Sequence, residues 1–210
     1  MVRNRKWWGV GLLALLAAML VFALAPTQAL AKTGWVKQSN GKYRYYSNDS
    51  SYFSDATYLI NNKYYGFDKN GYRRKGWYEE TMTWTDENGT KHTSSNWLYF
   101  GEKNDAASVG WKMIGGKWYW FEDGKTESGT PYIPYMASDG TRMIGKKNYL
   151  FNKSGALVTN GWYKSVWTYG SETYTNWYWA DSNGVCPIGW KKISGTWYYF
   201  WDWGGMASNT

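Results

Sequence analysis

A single repeated unit constrains the fold more than any other feature of this sequence. The stretches beginning at Gly110 (GWKMIGGKWYWFEDGK) and Gly189 (GWKKISGTWYYFWDWGGM) share a Gly-Trp pair, a glycine six residues after the first glycine, and a block of four aromatic residues. Further blocks lie in GKYRYY from Gly41, NKYYGFDKNG from Asn62, NWLYFGEKN from Asn96, KNYLFNKSG from Lys147 and NWYWADSNG from Asn176, and the Gly-Trp tryptophans are Trp35, Trp77, Trp111, Trp162 and Trp190. Seven units result, two of them without a preceding Gly-Trp pair. A chain of this kind is an array of small structural units.

Each unit has the pattern of a β-hairpin. Aromatic blocks are followed by polar turns that end in glycine, as at 68–71, 152–155 and 181–184, which is typical of a strand followed by a turn. A lone hairpin is marginally stable in water, so neighbouring hairpins must stack to cover their apolar faces. The sequence therefore predicts an all-β fold over 32–210, an elongated solenoid of tandem β-hairpins preceded by a signal-peptide helix.

The distribution of apolar residues predicts an aromatic core. Fifteen of the 17 Trp and all 20 Tyr follow residue 31, where aliphatic residues are sparse. This composition therefore argues against a layered core of Leu, Ile and Val around helices. Three cations lie in the first 31 residues, which leaves +5 of the net charge of +8 for the remainder, with no basic stripe. This charge favours anionic wall polymers and argues against a nucleic-acid partner.

The N-terminus has the three-part organisation of a secretory signal peptide. A basic head is followed by the apolar run 7–25 and by Ala29-Leu30-Ala31, so we expect cleavage before Lys32. An uncleaved membrane anchor is the alternative, because the apolar run approaches the roughly 18 residues of a spanning helix. Cleavage predicts an exported protein with no further contact with the membrane.

The single cysteine, Cys186, excludes an internal disulfide in an exported chain. We expect a small buried apolar side chain, with an intermolecular disulfide as the alternative.

Two units carry insertions between the Gly-Trp pair and the aromatic block. The insertions in 77–97 and 162–177 alternate Thr with aromatic residues around a polar turn, which favours lengthened hairpin strands. The stretch 127–138, with Pro131 and Pro134, is a possible joint between two stacks of hairpins.

The full unit, Gly-Trp, a polar stretch, Gly-x-Trp-Tyr-Tyr-Phe, a turn and Gly-x-Met, resembles the cell-wall-binding repeats of choline-binding surface proteins, most closely at 189–207. Related repeats occur in the glucan-binding modules of glucosyltransferases and in the receptor-binding ends of clostridial toxins, and YYGFDKNGYRRKGW from Tyr64 is similar to that group. The resemblance implies a secreted, non-catalytic module that is associated with the cell wall or cell surface and recognises choline-decorated teichoic acid. The alternatives are a glucan-binding repeat module and a surface adhesin without a small ligand.

In the choline-binding branch, the resemblance implies aromatic cages between successive hairpins. A quaternary ammonium ion donates no hydrogen bond, so aromatic faces are its natural receptor. The family pattern joins the Gly-Trp tryptophan to the first residue of its own block and to the third residue of the next block. It implies two complete cages, one of Trp77, Trp97 and Trp120 and one of Trp162, Trp177 and Tyr199. Three further sites are incomplete: the pair Trp111 and Trp118 has Leu150 as third member, the pair Trp35 and Tyr43 has Gly66, and the pair Trp190 and Trp197 has no following repeat. The block that begins at Asn148 lacks a first aromatic residue, which puts its cage in doubt.

Candidate catalytic residues are few. The only histidine, His92, lies in a polar stretch that we expect to be exposed, and no HExxH or paired cysteines offer a zinc site. The carboxylate pairs Glu79–Glu80 and Glu122–Asp123 are adjacent in sequence, so on a strand they point to opposite faces. The sequence predicts no catalytic activity, no metal and no cofactor.

Overall fold

The computed structural model describes residues 33–87, 89–101, 106–126, 128–169 and 172–208. These residues form seven antiparallel two-stranded sheets, each a hairpin. Hairpins 1 to 7 are β1 (Gly34–Lys37) with β2 (Tyr43–Tyr46), β3 (Thr57–Ile60) with β4 (Lys63–Gly66), β5 (Gly76–Thr85) with β6 (Lys91–Phe100), β7 (Gly110–Ile114) with β8 (Lys117–Phe121), β9 (Gly140–Ile144) with β10 (Lys147–Phe151), β11 (Gly161–Tyr169) with β12 (Glu172–Ala180), and β13 (Gly189–Ile193) with β14 (Thr196–Phe200). The predicted all-β array of tandem hairpins is confirmed, whereas the predicted signal peptide lies outside the described residues.

Tight turns set the register of the hairpins. Gly115 and Gly116 join β7 to β8 with φ angles of 56° and 76°, and Asn61 and Asn62 join β3 to β4 with φ angles of 48° and 60°. Two consecutive residues with positive φ match the right-handed twist of the strands that they connect, and glycine and asparagine tolerate this conformation best. The polar residues between aromatic strands therefore fix which side chains face each other.

A regular backbone link joins successive hairpins. After each hairpin the chain turns, and one residue, here called the link residue, donates its N–H to the carbonyl of the first block residue in the preceding hairpin. The blocks of hairpins 1 to 7 are 43–46, 64–67, 97–100, 118–121, 148–151, 177–180 and 197–200. The links are Arg73 to Tyr43 at 3.0 Å, Ala107 to Tyr64 at 2.7 Å, and, each at 2.8 Å, Met136 to Trp97, Leu157 to Trp118, Cys186 to Asn148 and Met206 to Trp177. The hairpins therefore stack in sequence order.

The core between hairpins is aromatic, as the composition predicts. The fourth block residue is a fully buried phenylalanine in five hairpins, at Phe67, Phe100, Phe121, Phe151 and Phe200. Full burial of such a side chain contributes about 1.5–3 kcal/mol. These five rings lie between consecutive hairpins and hold the stack together.

Cys186 takes part in a smaller cluster with Leu150, Tyr178 and Ala180. Burial, with a smaller contribution from the charge of Asp181, raises the pKa of the Cys186 thiol to about 12. The thiol therefore behaves as a buried apolar group, as predicted.

The two insertions lengthen hairpins 3 and 6, whose strands have ten and nine residues, against four or five in the other hairpins. The predicted lengthening is confirmed. The proline-containing segment forms bridges from Pro131 to Lys125 and from Met136 to Phe121, so it returns to hairpin 4 after a longer excursion. A joint at 127–138 stays a prediction. No helix among the described residues is long and apolar enough to cross a membrane.

Candidate functional site: aromatic corners between hairpins

Strand alternation gives each hairpin two distinct faces. In hairpin 4, Trp111 pairs with Trp120 and Met113 pairs with Trp118, so these side chains share one face, while Tyr119 lies on the opposite face. The face that carries Trp111 contacts hairpin 5, and the face that carries Tyr119 contacts hairpin 3. A hairpin with a Gly-Trp pair therefore presents that tryptophan forward, and the second block residue of the next hairpin points backward towards it.

Three tryptophans of Gly-Trp pairs each meet two further rings to form an open corner, named by the two hairpins that it joins. Corner 3/4 consists of Trp77, Trp97 and Tyr119, corner 4/5 of Trp111, Trp118 and Tyr149, and corner 6/7 of Trp162, Trp177 and Tyr198. Within a hairpin, the centroids of the two indole rings lie 6.2, 6.3 and 6.5 Å apart at angles of 77°, 90° and 80°, in the same order. The tyrosine of the next hairpin lies 4.9, 4.9 and 4.8 Å from the Gly-Trp tryptophan at 68°, 75° and 66°.

A completely buried phenylalanine supports each corner from behind. Phe121 lies 5.9 Å from Trp77, Phe151 lies 5.8 Å from Trp111, and Phe200 lies 6.1 Å from Trp162. The rings of these pairs are tilted or stacked, at interplanar angles of 38°, 35° and 28°. Aromatic pairs contribute about 0.5–1.5 kcal/mol beyond the area that they bury. The core therefore holds the corner rings in place before any ligand binds.

The corners remain open to solvent. Trp77 and Trp97 are each 38% exposed, Trp162 and Trp177 are 38% and 39% exposed, and Trp118 is 44% exposed. Exposed aromatic rings that recur in one arrangement are typical of a binding surface.

Charge distinguishes the corners. In each corner, the first block residue has a different cross-strand partner. The partner is Glu79 for Trp97 in corner 3/4, Met113 for Trp118 in corner 4/5, and Lys164 for Trp177 in corner 6/7. The Lys164 ammonium lies 5.7 Å from the Trp177 ring centroid, within the range of a cation–π contact. The same ring geometry thus occurs in an anionic, a neutral and a cationic setting.

Comparison with known proteins adds two findings, and no family model matches the chain. Glucosyltransferase-S of Streptococcus mutans is 26% identical over 207 residues, a match that covers 80% of this chain and 13% of the enzyme. Choline binding protein F of Streptococcus pneumoniae, solved in the presence of a peptidoglycan analogue, is 28% identical with a TM-score of 0.50, and the match covers 85% of this chain and 53% of that one. A second crystal form of the same protein is 25% identical with a TM-score of 0.51, covering 84% of this chain and 52% of the other. The chain has the fold of the choline-binding repeat modules. It spans about half the length of choline binding protein F and a small part of the glucosyltransferase.

In these choline-binding-type repeats, the structure brings together the predicted pairs Trp77 with Trp97, Trp111 with Trp118, and Trp162 with Trp177. The grouping of the third wall differs from the prediction. Trp120 packs on Trp111 of its own hairpin at 5.4 Å, and Tyr199 packs on Trp190 at 5.4 Å. First and third block residues do share a face, but that face points to the following hairpin, so the wall facing backward is the second residue.

The second block residues are therefore the functional candidates that sequence reasoning missed. Tyr119 and Tyr198 replace Trp120 and Tyr199, and Tyr149 replaces Leu150, which is buried in the core cluster. In the first junction Tyr65, and not Gly66, lies 4.8 Å from Trp35. A signal was available, because tyrosine occupies the second position in the blocks of hairpins 2, 4, 5, 6 and 7.

The last predicted pair, Trp190 and Trp197, lies on hairpin 7. Their exposed fractions of 68% and 60% exceed those of every tryptophan in the three corners. No later hairpin covers them among the described residues.

The two repeats without Gly-Trp have their junctions filled by the chain itself. In hairpin 5, Thr141 occupies the tryptophan position and its hydroxyl donates to the Trp203 carbonyl at 2.7 Å, while the Asn148 amide donates to the Asp202 carbonyl at 2.6 Å. The Trp203 ring lies 5.8 Å from Tyr178, the second block residue of hairpin 6. The doubt about a cage at Asn148 is therefore explained, since a loop covers that position.

The junction between hairpins 2 and 3 is filled differently. Thr57 takes the tryptophan position, and a Cβ at Gly66 would lie only 2.5 Å from Cζ of Phe100. Glycine is needed there because the buried Phe100 ring occupies the space beside its backbone.

The candidate catalytic residues do not converge. Glu79 shares the face of Trp97, whereas Glu80 accepts a hydrogen bond from the Tyr135 hydroxyl on the opposite face, so the predicted divergence of this pair is confirmed. Glu122 and Asp123 follow the end of β8, so the strand argument does not apply to them. His92 is half-buried, and not exposed as predicted, because its ring stacks on Trp84 at 5.4 Å and its Nε2 lies 2.8 Å from Asp86. Within the described ranges, no three His, Cys, Asp or Glu side chains are grouped so that they could hold a metal ion.

Proposed function

We propose that this protein is a secreted, non-catalytic wall-binding module whose aromatic corners hold the trimethylammonium groups of choline-decorated teichoic acid. The observation that carries the proposal is the recurrence of one open arrangement of three rings at corners 3/4, 4/5 and 6/7. A repeated ligand on a wall polymer suits a repeated site, because several weak contacts on one chain raise the overall avidity.

The chemistry of the corner suits a cation that cannot donate a hydrogen bond. In each corner the two indole rings stand nearly at right angles and a tyrosine lies against the Gly-Trp tryptophan, so methyl groups can contact several faces at once. Each cation–π contact contributes about 0.5–2 kcal/mol, depending on how far the cation is desolvated. Three such contacts give a site of modest affinity, which suits a multivalent binder.

Similarity to choline binding protein F supports this assignment, since that protein is described as choline-binding and its structure was solved in the presence of a peptidoglycan analogue. The chain covers about half of that protein, so its choline-binding activity is transferred here as a proposal. A location at the cell wall follows from the same assignment.

Glucan binding is the second candidate, favoured by the similarity to glucosyltransferase-S and by hairpin 3. On the face that carries Trp97, the strands of hairpin 3 continue with the cross-strand pairs Thr81–Ser95 and Thr83–Thr93. The hydroxyl oxygens of Thr83 and Thr93 lie 3.4 Å apart. A row of hydroxyl groups beside exposed indole rings can hydrogen-bond a sugar that stacks on the rings.

Titration of the secreted protein with choline, followed by tryptophan fluorescence, tests the proposal. We expect a saturable change that is reduced by Trp77→Leu and by Trp162→Leu. The control Trp84→Leu removes an exposed tryptophan outside the corners and should leave the choline affinity unchanged. Retention on purified walls that soluble glucan displaces and choline does not would favour the second candidate, and retention unaffected by either would contradict both.

A further inference from the structure

The first junction repeats the contacts that a Gly-Trp tryptophan makes with the following hairpin, and it holds a cation of the chain itself over two of its rings. In corner 6/7, by contrast, the Lys164 ammonium lies near the Trp177 ring alone. Trp35 lies 4.8 Å from Tyr65 and 5.8 Å from Phe67, the second and fourth block residues of hairpin 2. In the open corners, the Gly-Trp tryptophan makes the same two contacts with the hairpin that follows it. The guanidinium carbon of Arg73 lies 5.1 Å from the Trp35 ring centroid and 4.9 Å from the Tyr43 ring centroid. Tyr43 is the first block residue of hairpin 1, so Arg73 lies over both walls that hairpin 1 supplies.

The backbone explains why the guanidinium lies there. Arg73 is the link residue of hairpin 2, and its N–H donates to the Tyr43 carbonyl at 3.0 Å. At the three open corners the same link position holds Met136, Leu157 and Met206. An apolar side chain at the link position is therefore replaced by a cationic one at this junction alone among those with a Gly-Trp tryptophan in the described chain.

Exposure of the rings agrees with this occupancy. Trp35 and Tyr43 are both half-buried, whereas both tryptophans of corners 3/4 and 6/7 are exposed. Corner 4/5 is intermediate, with a half-buried Trp111 and an exposed Trp118. A guanidinium group over aromatic faces makes the same kind of contact that an external ammonium ion would make. Because it is tethered, its effective concentration at the rings is in the millimolar range or above, so a weakly bound external cation competes poorly.

We propose that corner 1/2, formed by Trp35, Tyr43 and Tyr65, is a cation site that Arg73 occupies internally and closes to external ligands. The proposal rests on the proposed function, since it requires the open corners to bind trimethylammonium groups. It makes the link residue the determinant of which corners accept a ligand: methionine or leucine leaves a corner open, and arginine fills it.

Substitution of Arg73 by methionine, the residue found at two open corners, tests the proposal. The measurement is the ¹H–¹⁵N correlation of tryptophan indoles during titration of the secreted protein with choline chloride. The Trp35 signal is identified as the one lost in Trp35→Leu. In the parent we expect the Trp77 and Trp162 signals to shift and the Trp35 signal to remain, and in Arg73→Met we expect the Trp35 signal to shift with saturation as well.

The control is Arg44→Met. The Arg44 guanidinium also lies over aromatic rings, 4.3 Å from Tyr52 and 4.6 Å from Tyr72, but these rings do not belong to a corner. This variant has the same change in charge and the same kind of lost contact, and it should leave the Trp35 signal unresponsive to choline.

The outcomes separate this proposal from the proposed function. No choline response at any tryptophan of the parent would overturn the proposed function and this inference with it. A parent response at Trp77 and Trp162, with Trp35 silent in a folded Arg73→Met variant, would overturn this inference alone, as would a Trp35 response already present in the parent. If Arg73→Met does not fold, Trp35→Leu in the parent decides: it should leave the number of choline equivalents unchanged, and a loss of one equivalent would show that corner 1/2 is open.

Discussion

The assignment of the third wall to the second block residue makes a sharp prediction for corner 3/4. Replacing Tyr119 by leucine removes the ring that lies 4.9 Å from Trp77 while it keeps an apolar side chain of moderate size. The matched variant, Trp120→Leu, removes a larger ring from the next position on the same strand, but that ring packs on Trp111 at 5.4 Å. The two variants therefore separate the structural assignment from the assignment that the family pattern implies.

The expected size follows from one lost aromatic wall. A cation–π contact of about 0.5–2 kcal/mol corresponds to a weakening of about twofold to thirtyfold in the dissociation constant. Tyr119→Leu should produce this loss at corner 3/4, read from the choline titration of the Trp97 indole signal, with little change at corner 6/7. Trp120→Leu should leave the Trp97 titration within about twofold of the parent and act at corner 4/5 through Trp111.

Thermal unfolding of both variants provides the control, since Tyr119 also packs edge-to-face on Trp77. The corner 6/7 signals report whether a variant has lost affinity merely by unfolding. A loss at Trp97 in Trp120→Leu that equals or exceeds the loss in Tyr119→Leu would refute the reasoning and restore the third block residue as the wall.

Three further predictions follow from charge and packing. Glu79→Lys should raise the affinity of corner 3/4 for phosphocholine relative to choline by up to about thirtyfold, because it replaces a repulsive charge pair with the phosphate by an attractive one and each exposed pair contributes about 0.2–1 kcal/mol; titration with both ligands measures the ratio. The pKa of Cys186, raised to about 12, keeps its thiol protonated, so its modification by a thiol reagent at pH 8 should be slow in the native protein and fast in denaturant; equal rates would contradict the buried position. Gly66→Ala should destabilise the protein by about 1–3 kcal/mol in urea unfolding because its Cβ would clash with Phe100, whereas Gly161→Ala, which has room for a Cβ, should cost far less.

The fold was predictable from sequence because its determinants are local. Aromatic alternation and polar glycine turns specify hairpins, and the shortage of aliphatic residues leaves mainly rings such as Phe121 and Phe151 to form the core. Even the lengthened strands of hairpins 3 and 6 follow from alternation within the insertions. These features need no knowledge of how one hairpin lies on the next.

The site was predictable only within a hairpin. Alternation correctly places Trp118 and Trp120 on one face, but the side on which the next hairpin lies depends on the backbone link from one hairpin to the preceding one. That link is a contact between repeats, which the pattern within one repeat does not show. The sequence pattern therefore assigned Trp120 to the corner with Trp77, whereas Tyr119 is the residue that contacts Trp77. The packing of Trp203 against Tyr178 could not be predicted from sequence for the same reason, since the two residues lie in different repeats.

Six junctions join the seven hairpins, and the side chains that fill them decide what the array can bind. Where a tryptophan follows glycine and the link residue is Met136, Leu157 or Met206, the corner keeps at least one tryptophan exposed to solvent. Where threonine replaces tryptophan, at Thr57 and Thr141, the chain fills the junction with a core ring or with its own loop. Because each junction depends mainly on residues of two adjacent hairpins, substitutions in one repeat can open or close a corner without changing the others, and the number of ligands bound can vary while the stack is retained.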